Sequence, residues 1–268
     1  MRVIVTRPGP QAGKWVNGLR AAGLDAQALP LIEIAGPPDP QRVRDAWQRI
    51  GSFDALMFVS ANAVEQFFAL RPDATPVSAL QPHFFVTGPG SVAALRKAGV
   101  ARDRIAAPDE AAAQFDSEAL WAVVQNQVQA GWRVLIVRGN TDGETSDGVA
   151  ASNGVGVGVG RDWFAARLKE KGASVEFLVS YERRAPVLTA EVLALVHAAA
   201  QDGSVWLFSS SEAIGNLCTM AAGQSWQQAL AVATHPRIAG AARAAGFAQV
   251  REASPALSDL VASIESLA

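Results

Sequence analysis

The chain has 268 residues, half of them hydrophobic and 18% charged, with a formal net charge of −2 and a single cysteine, Cys218. That length accommodates two ordinary domains, each with its own core, and the composition argues against disorder. It leaves no cysteine pair for an intramolecular disulfide and no cysteine cage for a metal. The near-neutral charge gives no ground for nucleic acid or an anionic membrane as partner, although local arginines can still hold a small anion.

In chain order, MRVIVTRPG runs straight into a strand at 2–6, without the charged and apolar regions of a signal peptide. No apolar run approaches the roughly 20 residues that span a bilayer, so a cytoplasmic protein is expected. PLIEIAGPPDP (30–40) reads as a strand with a proline-containing exit. ALMFVS (55–60) reads as a strand, followed by a helix over 60–70 with Ser60 as N-cap and Val64, Phe67 and Phe68 on one face. FFVTG (84–88) and RVLIVRG (133–139) are further strands. The Gly-, Ser- and Asp-rich stretch 140–160, ending in GVGVGVG, reads as a long mobile loop before a helix at 161–171. SVEFLVSYERRAP (174–186) is a strand with a second proline exit, and 189–200 is a helix. SVWLFS (204–209), a helix over 210–221 behind Ser210, and ALAVA (229–233) complete the pattern. Most of the strands are apolar without alternation, as strands covered on both faces are, and the βα alternation predicts parallel sheets.

The chain also repeats itself. RVIVTRP (2–8) matches RVLIVRG (133–139), DALMFVSANAVEQFF (54–68) matches SVWLFSSSEAIGNLC (204–218), and VTGPGSVAALRKAG (86–99) matches ATHPRIAGAARAAG (233–246). Three matches in one order predict a duplicated α/β unit, hence two similar domains and a ligand held between them. If 30–40 and 174–186 pair as an antiparallel ribbon, the chain crosses between domains twice. The expected boundaries are then 1–36 plus 182–268 for a discontinuous first domain and 37–181 for an inserted second one.

Recognisable phosphate-cradling, zinc-protease and nucleophile-elbow motifs are absent from the sequence. The GVGVGVG tract lacks the strand-turn-helix context of a dinucleotide site. His83, His197 and His235 sit in unrelated contexts, and none is spaced as a metal ligand. Polar groups at the carboxyl ends of strands remain: Arg7, Ser60 with Ala61 and Asn62, the Gly88–Ser91 turn, Arg138, and Ser209 with Ser210. Ligands bind at such ends in doubly wound sheets, where helix N-termini offer unpaired N–H groups to carboxylates. Taken singly, Ser60 and Ser210 are explained as N-caps. Tyr181, the only tyrosine, ends a strand beside Glu182, Arg183 and Arg184. Its phenol can donate a proton to a leaving group or simply pack.

The ordered set VTRP (5–8), PLIEI (30–34), FDALMFVSANAV (53–64), VTGPGSVAALRKAG (86–99), DSEAL (116–120), VLIVRG (134–139), GRDWFAARLKEKGASVEFLVSYERR (160–184) and WLFSSSEAI (206–214) resembles the uroporphyrinogen-III synthase family nearly end to end. The resemblance implies two similar doubly wound, flavodoxin-like α/β domains joined by a two-stranded antiparallel β ribbon. It implies the cyclisation of 1-hydroxymethylbilane, with loss of water and inversion of the terminal ring through a spiro intermediate, and no cofactor or metal. It also implies a linear tetrapyrrole polycarboxylate as the small-molecule partner. A monomer is expected, with transient contact to hydroxymethylbilane synthase the one protein partner considered. Tyr181 matches the tyrosine of the family's VYxR-like segment, the candidate for assisting hydroxyl departure.

Two departures stand out. Where many members carry Gly-Pro-Thr-Thr, this chain has His235, Pro236, Arg237 and Ile238, so a hydroxyl contact is expected to be either lost or replaced by Arg237 meeting a substrate carboxylate. The 140–160 stretch is longer than the resemblance implies. The competing readings are a non-catalytic two-domain anion-binding protein and, more distantly, a nucleotide-using enzyme on a similar fold.

Overall fold

The computed structural model describes residues 1–109, 114–141, 159–187 and 189–267. These form two compact units, Met1–Glu33 with Arg184–Ala268, and Ile34–Arg183. The chain therefore passes between units at 33/34 and at 183/184.

The first unit holds strands β1 (Arg2–Val5) and β2 (Asp25–Ala28), with helix α1 (Gly9–Ala21) between them. The second holds β3 (Glu33–Ala35), α2 (Pro40–Gln48), β4 (Ala55–Phe58), α3 (Ala61–Ala69), β5 (His83–Val86), α4 (Pro89–Lys97), β6 (Ile105–Ala106), α5 (Ser117–Val124), β7 (Arg133–Thr141), α6 (Val159–Glu170) and β8 (Ser174–Arg184). The first unit then resumes with α7 (Ala190–Ala199), β9 (Val205–Phe208), α8 (Ser211–Met220), β10 (Leu230–Ala233), α9 (Pro236–Ala244), β11 (Gln249–Glu252) and α10 (Leu257–Glu265).

The first unit's sheet runs β2-β1-β9-β10-β11, parallel throughout. Numbered within the unit this is 2-1-3-4-5, the flavodoxin-like order. The second sheet runs β6-β5-β4-β7-β8-β3, and its ladders from β6 to β8 are parallel. The two orders become one when β9, β10, β11, β1 and β2 are set against β4, β5, β6, β7 and β8. Each sheet then reads 3-2-1-4-5, and the first unit is the same design with its chain start shifted by the insertion. The internal repeats fall on this correspondence: β1 with β7, β4 with β9, β5 with β10.

Helices cover both faces of the second sheet. Leu56, Phe58, Phe84, Val86, Leu135 and Val137 pack toward α2, α3 and α4. Ala55, Met57, Phe85, Val134 and Ile136 pack toward α5 and α6. This two-sided burial is why β4 (ALMF) is apolar at every position. Trp47 of α2 stacks on Phe67 of α3 with centroids 4.6 Å apart, and its indole N–H donates to the Phe67 carbonyl at 2.9 Å. One of α3's terminal carbonyls is thereby satisfied inside the core. In the first unit, Val3, Val5, Val205, Leu207 and Val232 pack toward α1 and α10.

Several elements differ from their expected form. The strand read over 30–40 is confined to Glu33–Ala35, hydrogen-bonded beside β8 at the sheet edge. Arg184 and Glu33 form an ion pair at 2.7 Å where the chain leaves and re-enters the first unit. Asn140 and Thr141, expected in a loop, continue strand β7, because β8 supplies partners as far as Arg183. The helix expected from 161 begins at Val159, and the rest of the expected mobile loop, 142–158, lies outside the described residues. Strands β2 (DAQA), β6 (IA) and β11 (QVRE) carry no strand signal in the sequence, because they are short edge strands with one partner each. Among the described residues no helix is long and apolar enough to cross a membrane, and no cluster of His, Cys, Asp or Glu could hold a metal ion.

Candidate functional site

Polar residues gather at the carboxyl ends of the strands in each unit. In the second unit, β4 ends at Phe58 and the chain turns into α3 at Ser60, whose Oγ accepts the Ala63 N–H at 3.1 Å. Ser60 has extended backbone angles, and Ala63, Val64 and Phe67 anchor the following helix in the core. Ala61 and Asn62 form the first turn of α3, half-buried. Onto this helix start comes Tyr181 from β8, with its hydroxyl 3.1 Å from Ser60 Oγ. The Tyr181 ring is buried, only 4% exposed, within the cluster that includes Phe58, Val64 and Val137. Ser60 thus does two things: it caps α3, and it holds the only tyrosine hydroxyl at the positive end of that helix.

Beside it, β5 leads into α4 through Gly88, an extended N-cap residue with no side chain to contribute. Phe115 lies over Gly88, where a Cβ would meet the Phe115 Cβ at 3.4 Å. Ser91 is buried in the first turn of α4, and its N–H donates to the Gly88 carbonyl at 3.1 Å. Arg138 is not brought to this group. It lies within β7 rather than at its exit, 5% exposed, with its guanidinium 5.8 Å from the centre of the Phe177 ring. Phe177 belongs to the α5 and α6 face of the sheet, opposite the face that carries Tyr181.

In the first unit, β1 stops at Val5 and its parallel neighbour β9 at Phe208, so Arg7 and the Ser209–Ser210 pair leave adjacent strand ends. The Arg7 guanidinium lies 4.4 Å over the Trp15 ring of α1. Its Nε is buried without a hydrogen-bond partner, and burial holds its pKa below the ordinary arginine value. Ser210 caps α8, accepting the Glu212 N–H at 3.2 Å. Ser211, not among the residues expected at the site, has a buried Oγ that also lacks a partner. Its place in the SSS run beside Ser209 and Ser210 is its signal in the sequence. Arg237 is exposed in the first turn of α9, where its own N–H donates to His235 Nδ1 at 3.1 Å. His235 therefore acts as the N-cap, with its proton on Nε2 when the ring is neutral.

His83 stacks on Trp132 at 5.7 Å, exposed His197 contacts Gln224 at 2.6 Å, and burial pushes the half-buried Cys218 thiol up.

Comparison with known proteins bears on this arrangement. The family described as Uroporphyrinogen-III synthase HemD matches residues 13–262. Uroporphyrinogen-III synthase of Escherichia coli (strain K12) is 28% identical over 183 residues, covering 68% of this chain and 65% of that protein. The Synechococcus elongatus protein of the same name is 28% identical over 221 residues, covering 82% and 74%. The matched part thus spans just under two thirds of the Escherichia coli relative. Among solved structures, uroporphyrinogen-III synthetase from Helicobacter pylori superimposes with a TM-score of 0.60 at 16% identity over the full length of both chains. A mutant uroporphyrinogen III synthase from Thermus thermophilus gives 0.51 at 14% identity, covering 100% of this chain and 98% of that one. At such identities the two structures speak for the fold.

Proposed function

The chain belongs to the uroporphyrinogen-III synthase family, and from that membership we propose that it cyclises 1-hydroxymethylbilane to uroporphyrinogen III. In this reading it is a hydro-lyase. The substrate hydroxyl leaves with a proton as water, giving an electrophilic azafulvene. The terminal pyrrole attacks from its substituted carbon, and the resulting spiro intermediate fragments and recombines with that ring inverted.

The observation that carries the reading is the Tyr181–Ser60 contact at the start of α3. Ser60 Oγ already accepts the Ala63 N–H, and its own proton can be donated to the Tyr181 oxygen. The phenolic proton is then available to the departing hydroxide, and the phenolate left behind sits at the positive end of a helix dipole until the proton that the substrate loses on ring closure returns to it. Substrate carboxylates suit Arg7, Ser209, Ser210 and Ser211 in the first unit, and Asn62, Gly88 and Ser91 in the second. Both sets supply helix N-terminal donors, and Arg237, exposed at the start of α9, offers a further cation for a carboxylate. Holding the folded bilane so that the spiro route outruns plain closure is the larger part of such catalysis.

The test is to give the purified protein fresh 1-hydroxymethylbilane without added metal or cofactor and separate the products by isomer. Predominantly type III product supports the reading. Type I alone, the product of unassisted closure, from folded protein overturns it in favour of the anion-binding reading.

Because the substrate closes unassisted, the same reading takes in a cytoplasmic monomer in transient contact with hydroxymethylbilane synthase. Undiminished trapping of free bilane by a competitor in the coupled reaction would argue against that contact.

Substitutions at three residues follow from the geometry. Arg7→Ala is expected to raise KM about ten-fold with kcat little changed, the loss of one charge-assisted contact. Arg7→Lys recovers little of it, because an ammonium does not stack on Trp15 as a guanidinium does. Ser210→Ala is expected to cost about 1 kcal/mol of stability as a lost cap, with kcat unchanged. Ser60→Ala has the same cap cost and a several-fold lower kcat besides. Urea melts and steady-state kinetics on both variants separate the roles, and equal kcat values would show that Ser60 is a cap only.

A further inference from the structure

Strand alternation alone would turn Tyr181 away from Ser60. On β8, Val175 and Phe177 pack with the α5 and α6 face and Leu178 with the α3 face. A regular strand puts residue 181 on the side of 175, 177 and 179. Tyr181 nevertheless packs in the same cluster as Leu178.

The reason is a β-bulge. Arg138 is paired with Val179, and the next β7 residue, Gly139, is paired with Tyr181, so Ser180 has no partner opposite. The extra residue reverses the facing of everything after it. Ser180 is fully buried, and its hydroxyl donates to the Ala63 carbonyl of α3 at 3.2 Å. The bulge is thus tied to the same helix whose N-cap meets the Tyr181 hydroxyl.

Beneath the ring lies Gly139. A Cβ built there would come 2.6 Å from both Cε1 and Cε2 of Tyr181 and nearer still to Cζ, far inside van der Waals contact. Gly139 is not among the glycines with positive φ, so its backbone is one that alanine adopts without strain. Only the space over its α carbon requires glycine, and the phenol occupies that space.

We propose that Gly139 and Ser180 are positioning residues for the synthase reaction: the first is the floor on which the Tyr181 ring lies, and the second pins the bulge that turns the ring toward Ser60. The proposal rests on the reading of Tyr181 as the group that assists hydroxyl departure. Both residues are buried, and each acts only through where it puts the phenol.

The experiment is a double-mutant cycle of Gly139→Ala with Tyr181→Phe, read in kcat, KM and type III yield. Gly139→Ala is expected to lower kcat to within about three-fold of Tyr181→Phe, with KM changed by less than about three-fold. The double variant is expected to be no slower than Tyr181→Phe alone, since the displaced group is already missing. Losses that multiply, or a wild-type kcat in Gly139→Ala, overturn the proposal.

Because Tyr181 is the only tyrosine, ring-labelled tyrosine gives one NMR spin system. In the wild type it should show nuclear Overhauser contacts to Gly139 Hα and Ser60 Hβ, and in Gly139→Ala the contact to Ser60 should vanish. Ser180→Ala adds no bulk and serves if Gly139→Ala does not fold. It should weaken the same contact and lower kcat several-fold, and an unchanged contact with unchanged kcat sinks the proposal. If the wild type forms no type III product, the functional reading fails while the NMR arm still decides the positioning.

Discussion

Tyr181→Phe is expected to lower kcat about 10²-fold, the lower end of what a positioned proton donor contributes, and to leave KM for 1-hydroxymethylbilane nearly unchanged. The substitution removes one oxygen and keeps the ring over Gly139, so the surrounding core of Phe58, Val64 and Val137 has no cavity to absorb. Ser60 Oγ loses its contact with the phenol but still accepts the Ala63 N–H, and α3 stays capped. A second consequence separates lost chemistry from lost binding. With enzymatic dehydration slowed, unassisted closure competes, so the type I share should rise as enzyme concentration falls. Steady-state kinetics with isomer separation measures both. An unchanged kcat would return Tyr181 to a packing role.

Trp206→Ala should produce the largest loss of stability, about 3–5 kcal/mol, read as a lower urea midpoint. Trp206 lies in β9 with none of its surface exposed, edge-on to Trp226 at 5.4 Å and stacked with Phe208 at 6.1 Å. Phe247 completes the aromatic group, stacked on Trp226 at 5.3 Å. The indole N–H donates to the Ala199 carbonyl at 3.1 Å, one of the terminal carbonyls of α7. Removing the ring leaves a cavity walled by aromatic side chains and strands that carbonyl. Trp206→Phe keeps most of the volume and should cost about 1–3 kcal/mol, chiefly from the unpaired carbonyl. Equal midpoints for Trp206→Ala and wild type would show that this group does not stabilise the first unit.

Much of the architecture is legible in the residues. ALMF and VWLF, apolar at every position, announce strands covered on both faces. Ser60 and Ser210 stand where the following apolar spacing needs an N-cap, and both cap helices. The internal matches pair β1 with β7, β4 with β9 and β5 with β10, three of the five equivalent strand pairs in the two sheets. The two pairs without a sequence signal are β2 with β8 and β6 with β11. Of these, β2, β6 and β11 are edge strands, whose order comes from backbone pairing with a neighbour rather than from their own side chains.

The candidate site was legible only in part, and Arg7 and Arg138 show why. The repeat aligns them, and sequence spacing treats them alike. In the first unit β1 stops at Val5, and Arg7 leaves the sheet to lie over Trp15. In the second, β8 extends the ladder to Thr141 and keeps Arg138 inside the sheet, against Phe177. Where a strand ends depends on how far its neighbour runs, which no local pattern encodes.

The same holds for Tyr181. By itself the sequence determined the buried strands, the caps of α3 and α8, the duplicated design, and the presence of one tyrosine at the end of a strand. These follow from short-range periodicity and from the chemistry of single residues. Only the tertiary structure decided which face that tyrosine occupies, because the bulge at Ser180 is a property of register between β7 and β8. It alone showed that Gly139 is the floor under the ring and that Ser60 is the partner of its hydroxyl. Those relations join residues far apart in the chain, and they exist only once cross-strand pairing and helix packing have fixed one register among those the local pattern allows.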